Sequence, residues 1–302
     1  DRSFDPLAMP ELWLVQGDAN NYGSRAEAQG YVTVHYTRTN ADFAGWGLHL
    51  WQESGALTEW ASPHLPNGYD DFGAYYIISD TLYSDIDFTE PVNFLMHKGD
   101  EKDIDTDRAF TPTLHADIWL AEGDAGVYPH RGAIEDYALI HYRRLAGDYG
   151  DYTSDDFNDY WGAHAWGAAI DPGWTTPYKA EDQNDYGVWF KIPLVSTLRQ
   201  PQARTMGYIL HKGGEKDPPD KDQQLDLENT GYEVWVGQGL APDNVQEQYT
   251  HPAIPLAKMA EAKVGDLGQT QAYWLSEDTI AWNIANDPDS TYYLNYARNA
   301  GM

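Results

Sequence analysis

The chain repeats itself, and this limits its architecture before any element is assigned. DRAFTPTLHADIWLAEGDAGVY (107–128) echoes DRSFDPLAMPELWLVQGDANNY (1–22), with Asp107 and Trp119 each 106 residues beyond Asp1 and Trp13. YALIHYRR (137–144) answers YVTVHYTR (31–38) at the same offset. Between Trp46 and Trp161 the offset grows to 115, so the second copy carries nine extra residues within LAGDYGDYTSDDFNDY. It is 114 between His97 and His211, where YILHKGGEKD answers NFLMHKGDEKD. A third W-[LV]-x-x-G signal, EVWVGQG, stands at 233–239. A long fixed period marks repeated structural units. Two full copies are expected, 30–122 and 123–240. Residues 1–29 match the end of a copy, as the tail of a preceding repeat or as a leading strand. Residues 241–302 read as a linker, with a helical stretch at 252–265, and the start of a further β-domain.

Each copy is a string of short segments such as YVTVHYTR, GWGLHLWQ, GAYYIIS, VNFLMHKG and DIWLAEG, divided by turn clusters such as PNGYDD and KGDEKD. Short alternating strands at this spacing predict an all-β fold, tandem immunoglobulin-like antiparallel β-sandwiches. The 302 residues contain no cysteine, so neither disulfides nor thiolate metal sites are available. No apolar run reaches the roughly 18 residues that a membrane span needs. The first residues lack the regions of a signal peptide. Either the chain is cytosolic or a signal lies upstream. With 48 Asp and Glu against 19 Lys and Arg, and no basic patch, nucleic acid is not expected as a partner. Twelve Trp and 22 Tyr point to aromatic sandwich cores or to carbohydrate contact.

The segment GWGLHLW (45–51) separates these uses. Strand side chains alternate between faces. Trp46, Leu48 and Leu50 share the core side, which leaves Gly47, His49 and Trp51 on the other. WGAHAW (161–166) repeats the split, with Trp161, Ala163 and Ala165 inward and Gly162, His164 and Trp166 outward. An outward Trp either sits under a loop or offers a flat apolar platform with one N–H donor. Sugars have apolar C–H faces that stack on such rings. Covering about 60 Å² of one contributes about 1.5 kcal/mol at roughly 25 cal/mol/Å². The turns HKGDEKDIDTD and HKGGEKDPPDKD supply Lys donors and Asp acceptors, which suit a sugar diol.

The VHY strand, GWGLHLW, DFGAYY, HKGDEKD and the closing DIWLAEGD together resemble carbohydrate-binding module family 41, the pullulanase-associated domain. The likeness runs through both copies almost end to end. AYWLSEDTIAW (272–282) looks like the start of the β-domain that follows such modules in pullulanases. The resemblance implies a β-sandwich that binds α-1,4-linked glucans such as glycogen, starch, pullulan and maltooligosaccharides. It would belong to a secreted or cell-surface debranching enzyme. Two positions of the second strand form the stacking surface in that family, here His49 with Trp51 and His164 with Trp166. A Lys of the KD turn and an Asp about five residues on bind hydroxyls. These are Lys102 and Asp107 in the first copy. In the second they are Lys216 and Asp222, with Asp220 as a competing choice. Asp1 holds the same position in a truncated earlier module and is not counted. Trp60 and Trp174, each thirteen residues before Gly73 or Gly187, either wall the site or pack a loop.

The expected function is non-catalytic α-glucan binding by a monomer, with no cofactor, no metal and no membrane insertion. A glycosidase would need two carboxylates about 5–5.5 or 6.5–9.5 Å apart. Among 48 acids such pairs arise by chance, and no stretch resembles the barrel motifs of α-glucan hydrolases. A spacer or adhesin is the remaining alternative, and the retained outward His-x-Trp argues against it. His49 and His164 lack neighbours at zinc-ligand spacing, and the acidic turns lack EF-hand spacing.

Overall fold

The computed structural model describes residues 12–195, 205–219, 221–240 and 249–250, with positions 252, 255–256, 259, 273–274 and 280–281 beyond them. Two compact units divide the chain between Ile134 and Glu135. Both are β-sandwiches.

In the first unit a short helix, α1 (Arg25–Gln29), leads into β1 (Tyr31–Thr37), β2 (Gly47–Gln52), β3 (Gly55–Ala56), β4 (Gly68–Tyr69) and β5 (Ala74–Ser79). Then come β6 (Val92–Lys98), β7 (Glu101–Lys102), β8 (Arg108–Phe110) and β9 (Asp117–Ala121). One sheet has the order β4-β5-β1-β9; the other has β3-β2-β6-β7, with β8 also on β6. All neighbours are antiparallel except β9, which runs parallel to β1. Every second residue of the central strands is buried. Val32, Val34, Tyr36, Tyr76 and Ile78 of one sheet share a core with Leu48, Leu50, Val92, Phe94 and Met96 of the other, as aligned sandwich packing requires. This unit runs on to Ile134, past the boundary at 122 expected from the repeat. The reason is packing: Ile134 clusters with Phe72 and Ala121, and Trp119 and Tyr128 lie against them.

The second unit repeats the plan. After α2 (Gly132–Glu135) come β10 (Tyr137–Arg143), β11 (Gly162–Gly167), β12 (Asp182–Gln183) and β13 (Val188–Pro193). They are followed by β14 (Thr205–Lys212), β15 (Glu215–Asp217), β16 (Gln223–Asp226) and β17 (Glu233–Gly237). The sheets are β12-β13-β10-β17 and β11-β14-β15, with β16 on β14, and β17 is parallel to β10. Ala163 and Ala165 leave room that larger neighbours take up. Tyr208 stands opposite Ala165 where Phe94 stands opposite Leu50. Its buried hydroxyl donates to Gln223 Oε1 at 2.9 Å, which meets the demand that a buried polar group be bonded.

Each unit also holds one buried polar knot. Asp103 accepts hydrogen bonds from the Tyr36 hydroxyl and the Gly123 amide, both at 3.0 Å. Asp217 accepts from Tyr142 and, at 2.7 Å, from Gly239 N–H. Arg38 and Arg144 lie 4.0 Å above Trp46 and Trp161, cation–π contacts that close the same edge of both cores.

Ahead of α1, Trp13 bridges Tyr22 as Trp119 bridges Tyr128, and Tyr22 and Tyr128 donate to Asp18 and Asp124. The echo between these stretches is therefore structural. Asp1 lies outside the described residues. After β17, positions 255–256 and 259 are helical, and β18 (Tyr273–Trp274) pairs with β19 (Ile280–Ala281). The rest of the expected helix and of the further β-domain lies outside the described residues. Among those described, no helix is long and apolar enough to cross a membrane.

Candidate carbohydrate platform

The register of β2 on β6 sets Gly47 opposite His97, His49 opposite Leu95 and Trp51 opposite Asn93. Trp46, Leu48 and Leu50 are buried, while His49 and Trp51 keep partial exposure on the other face. The two rings sit 5.4 Å apart, tilted by 33°. Trp60 arrives from the loop after β3. That loop is tied down where Leu48 and His64 exchange backbone hydrogen bonds of 2.8 and 2.9 Å. Pro63 then crosses Gly47 so closely that a Cβ there would meet it at 2.9 Å. Trp60 stands edge-on to His49 at 5.4 Å and stacks on His97 at 4.0 Å, with 12° between the planes. His97 is wholly buried, and its Nδ1–H donates to the Gly99 carbonyl at 2.9 Å. Lys102, the register partner of His97 on β7, brings its Nζ to 5.9 Å from the Trp60 ring.

The second unit builds the same object from different neighbours. His164 and Trp166 are 5.6 Å apart and tilted by 35°. Trp174 stands edge-on to His164 at 5.5 Å and stacks on the buried His211 at 4.0 Å and 12°. Lys216 Nζ lies 5.5 Å from the Trp174 ring. Pro177 crosses Gly162 as Pro63 crosses Gly47, at 2.8 Å from a Cβ added there. Trp166 lies directly over Gly207, where any Cβ would run into its indole. Trp51 has Asn93 at that register position.

The carboxylates divide into two kinds. Asp103 and Asp217, next to the platform lysines, point inward to the polar knots. Outside, Lys216 Nζ is 3.5 Å from Asp222. Lys102 is 3.9 Å from Asp105, and Asp107 is exposed. The structure thus groups His49, Trp51, Trp60 and Lys102 in one cluster, and His164, Trp166, Trp174, Lys216 and Asp222 in another. Among the described contacts Lys102 pairs with Asp105 and not with Asp107. Asp220 lies outside the described residues. Burial and the neighbouring His97 hold the His49 imidazole below the ordinary histidine range. Among the described residues no group of three or more His, Asp or Glu is arranged to hold a metal ion.

The family model described as "Bacterial pullanase-associated domain" matches residues 30–129 and again residues 136–243. The chain belongs to this family. An α-amylase of Streptomyces lividans is 35% identical over 115 residues, which are 37% of this chain and 12% of that protein. The chain thus spans a small part of this curated relative. Among solved structures, family 41 carbohydrate-binding modules of streptococcal virulence factors, which recognise α-glucans, align over 74% of this chain and 98% of theirs, with 16% identity and a TM-score of 0.45. A multi-modular glycogen-degrading pneumococcal virulence factor aligns over 76% of this chain and 22% of its own, with 17% identity and a TM-score of 0.45.

In both copies of the pullanase-associated domain the buried histidine under the loop tryptophan escaped the sequence reading. His97 and His211 were visible only as landmarks of the repeat. The signal that finds them is the pairing of an invariant spacing, W-x-x-P in the loop, with HKG in the strand: Trp60 to Pro63 and Trp174 to Pro177. Gly47 is the hinge of that arrangement. Gly47→Ala is expected to push Pro63 outward and to carry Trp60 with it, because overpacking against backbone and proline costs about 1–3 kcal/mol. Affinity of the first platform for maltooligosaccharide then falls about ten-fold, read by calorimetry in a Trp166→Ala background. Unchanged affinity there would show that Trp60 is no part of the platform.

Proposed function

We propose that the two domains are non-catalytic α-glucan-binding modules that hold an attached pullulanase-type glycoside hydrolase on glycogen, starch or related polymers outside the cell. One observation carries this reading. The outward His–Trp pair, its wall tryptophan and its lysine recur with matching distances in two units whose cores have diverged. Core packing alone gives no reason to keep an outward platform while the inward leucines shrink to alanines. In this reading Trp51 and Trp166 carry the apolar face of a glucose unit, and His49 and His164 meet the next along the tilt. Trp60 and Trp174 wall the edge. Lys102 and Lys216 donate to hydroxyls, with Asp107 and Asp222 as acceptors. Recognition is the whole of the mechanism, and no bond is broken.

Titration calorimetry with maltoheptaose tests the proposal. The expected result is a stoichiometry near two, with cellohexaose giving no heat of binding. Equal binding of both oligosaccharides, or of neither, overturns it. Incubation with pullulan is expected to release no reducing sugar.

A further inference from the structure

His97 and His211 are wholly buried, yet the geometry around them hardly differs between the two units. His97 lies under Trp60 and His211 under Trp174, both at 4.0 Å and 12°. Each turns an edge toward the platform histidine at 6.3 Å. Nδ1 meets a turn carbonyl in both, Gly99 at 2.9 Å and Gly213 at 3.0 Å. A carbonyl oxygen only accepts, so Nδ1 carries a proton and donates it. Nε2 is buried as well, and among the described residues it has no hydrogen-bond partner in either copy.

A buried polar atom without a partner costs stability. Burial alone would therefore favour leucine or phenylalanine at these positions. The imidazole offers two things that neither of them combines, a flat face and a donor that pins it. Aromatic pairs left free settle offset or edge-to-face, with centroids about 4.5–7 Å apart. The 4.0 Å stack is closer than that and nearly parallel, so both rings are held. The imidazole is held from the turn through Nδ1–H. The Trp60 loop is held by the Leu48–His64 backbone bonds and by Pro63 against Gly47. Trp60 therefore has one face covered by His97 and an edge toward His49, and it keeps partial exposure.

We propose that His97 and His211 are positioning residues for the glucan platforms: each is a pinned, flat support that fixes the plane of the loop tryptophan above it. A ring already fixed loses no rotamer freedom when a ligand arrives, and this preorganisation raises affinity. Without the support, the loop stays tied at Pro63 while the indole turns among rotamers, and it must be ordered by the ligand itself. The affinity part of this proposal rests on the glucan-binding reading; the fixing of the indole does not.

His97→Leu removes the support and the unpartnered Nε2 together, and it frees a carbonyl of the exposed Gly99 to water. The first domain is expected to melt within about 4 °C of the parent. Its affinity for maltoheptaose falls about ten-fold, read by calorimetry in a Trp166→Ala background. His97→Asn retains a donor for the Gly99 carbonyl without a ring and is expected to weaken binding alike, so the test stands even if the leucine variant does not fold. Trp60→Ala weakens the same platform. Because His97 acts only through the indole, adding His97→Leu to Trp60→Ala weakens it no further, whereas independent effects would add. In the ligand-free full chain the indole N–H resonance of Trp60, assigned with Trp60→Ala, moves in the His97 variants, and that of Trp174 stays. Parent affinity in the folded His97 variants, full additivity with Trp60→Ala, or an unmoved Trp60 resonance overturns the proposal. If the parent does not bind maltoheptaose while the Trp60 resonance responds as stated, the glucan reading fails and the fixing of the indole stands.

Discussion

The Trp51→Ala, Trp166→Ala double variant is expected to lose glycogen retention altogether while both sandwiches stay folded. Each indole is a partly exposed ring on an outward strand face, so its truncation removes contact area without opening a core. Aromatic anchors at the centre of a contact typically cost about 2 kcal/mol or more when truncated, roughly thirty-fold in affinity per site. A branched glucan that meets both platforms is held more tightly than by either, by about 10²–10⁴-fold in favourable cases. Each single variant therefore loses more on polymer than on oligosaccharide, and the double variant has no strong anchor left. Affinity electrophoresis in glycogen gels makes the comparison. Circular dichroism and an unchanged melting curve establish the folded state. Normal retardation of the folded double variant would mean that the platform lies elsewhere.

How much of this was legible in the sequence depends on how local each cause is. The split of Trp46, Leu48 and Leu50 from His49 and Trp51 follows from strand alternation alone, so it could be read directly. Trp60 stood open between wall and loop filler, because its place is set by a backbone bridge to Leu48 and by the missing Cβ at Gly47. Strand partnering is similarly non-local. Nothing in DIWLA announces that β9 joins β1 in parallel, a pairing set by strands more than eighty residues apart. The small Ala163 and Ala165 are accounted for by register, which sets Tyr208 opposite Ala165. Among the turn acids, spacing could not separate inward from outward. Asp103 belongs to a turn whose acids are expected as acceptors for a sugar diol, yet its side chain retains only 1% exposure.

That inward acid gives the largest stability effect. Asp103→Ala is expected to destabilise the first domain by about 3–5 kcal/mol, as removing one partner of a buried ion pair does. Arg108 is the reason. Its side chain is also 1% exposed, and its nearest carboxylate is Asp103 at 3.3 Å. It also donates to the Asp124 carbonyl at 3.0 Å, a contact too weak to carry the charge alone. Burial already pushes the Arg108 guanidinium below its ordinary range, with Asp103 the chief group drawing it back. Without Asp103 the Tyr36 hydroxyl and the Gly123 amide also lose their acceptor. A domain of this size is stable by about 5–15 kcal/mol, and each kcal/mol shifts its melting point by roughly 4–8 °C. The calorimetric transition of the first domain should therefore fall by about 12 °C or more, and that of the second should hold. Asp107→Ala, four residues along the same turn, removes an exposed carboxylate and should leave the melting curve within about 0.5 kcal/mol of the parent, while weakening maltoheptaose binding. Two acids of one turn are thus assigned opposite duties, one to the fold and one to the ligand. An Asp103→Ala protein that melts like the parent, or an Asp107→Ala protein that binds like it, would break that assignment at a known residue.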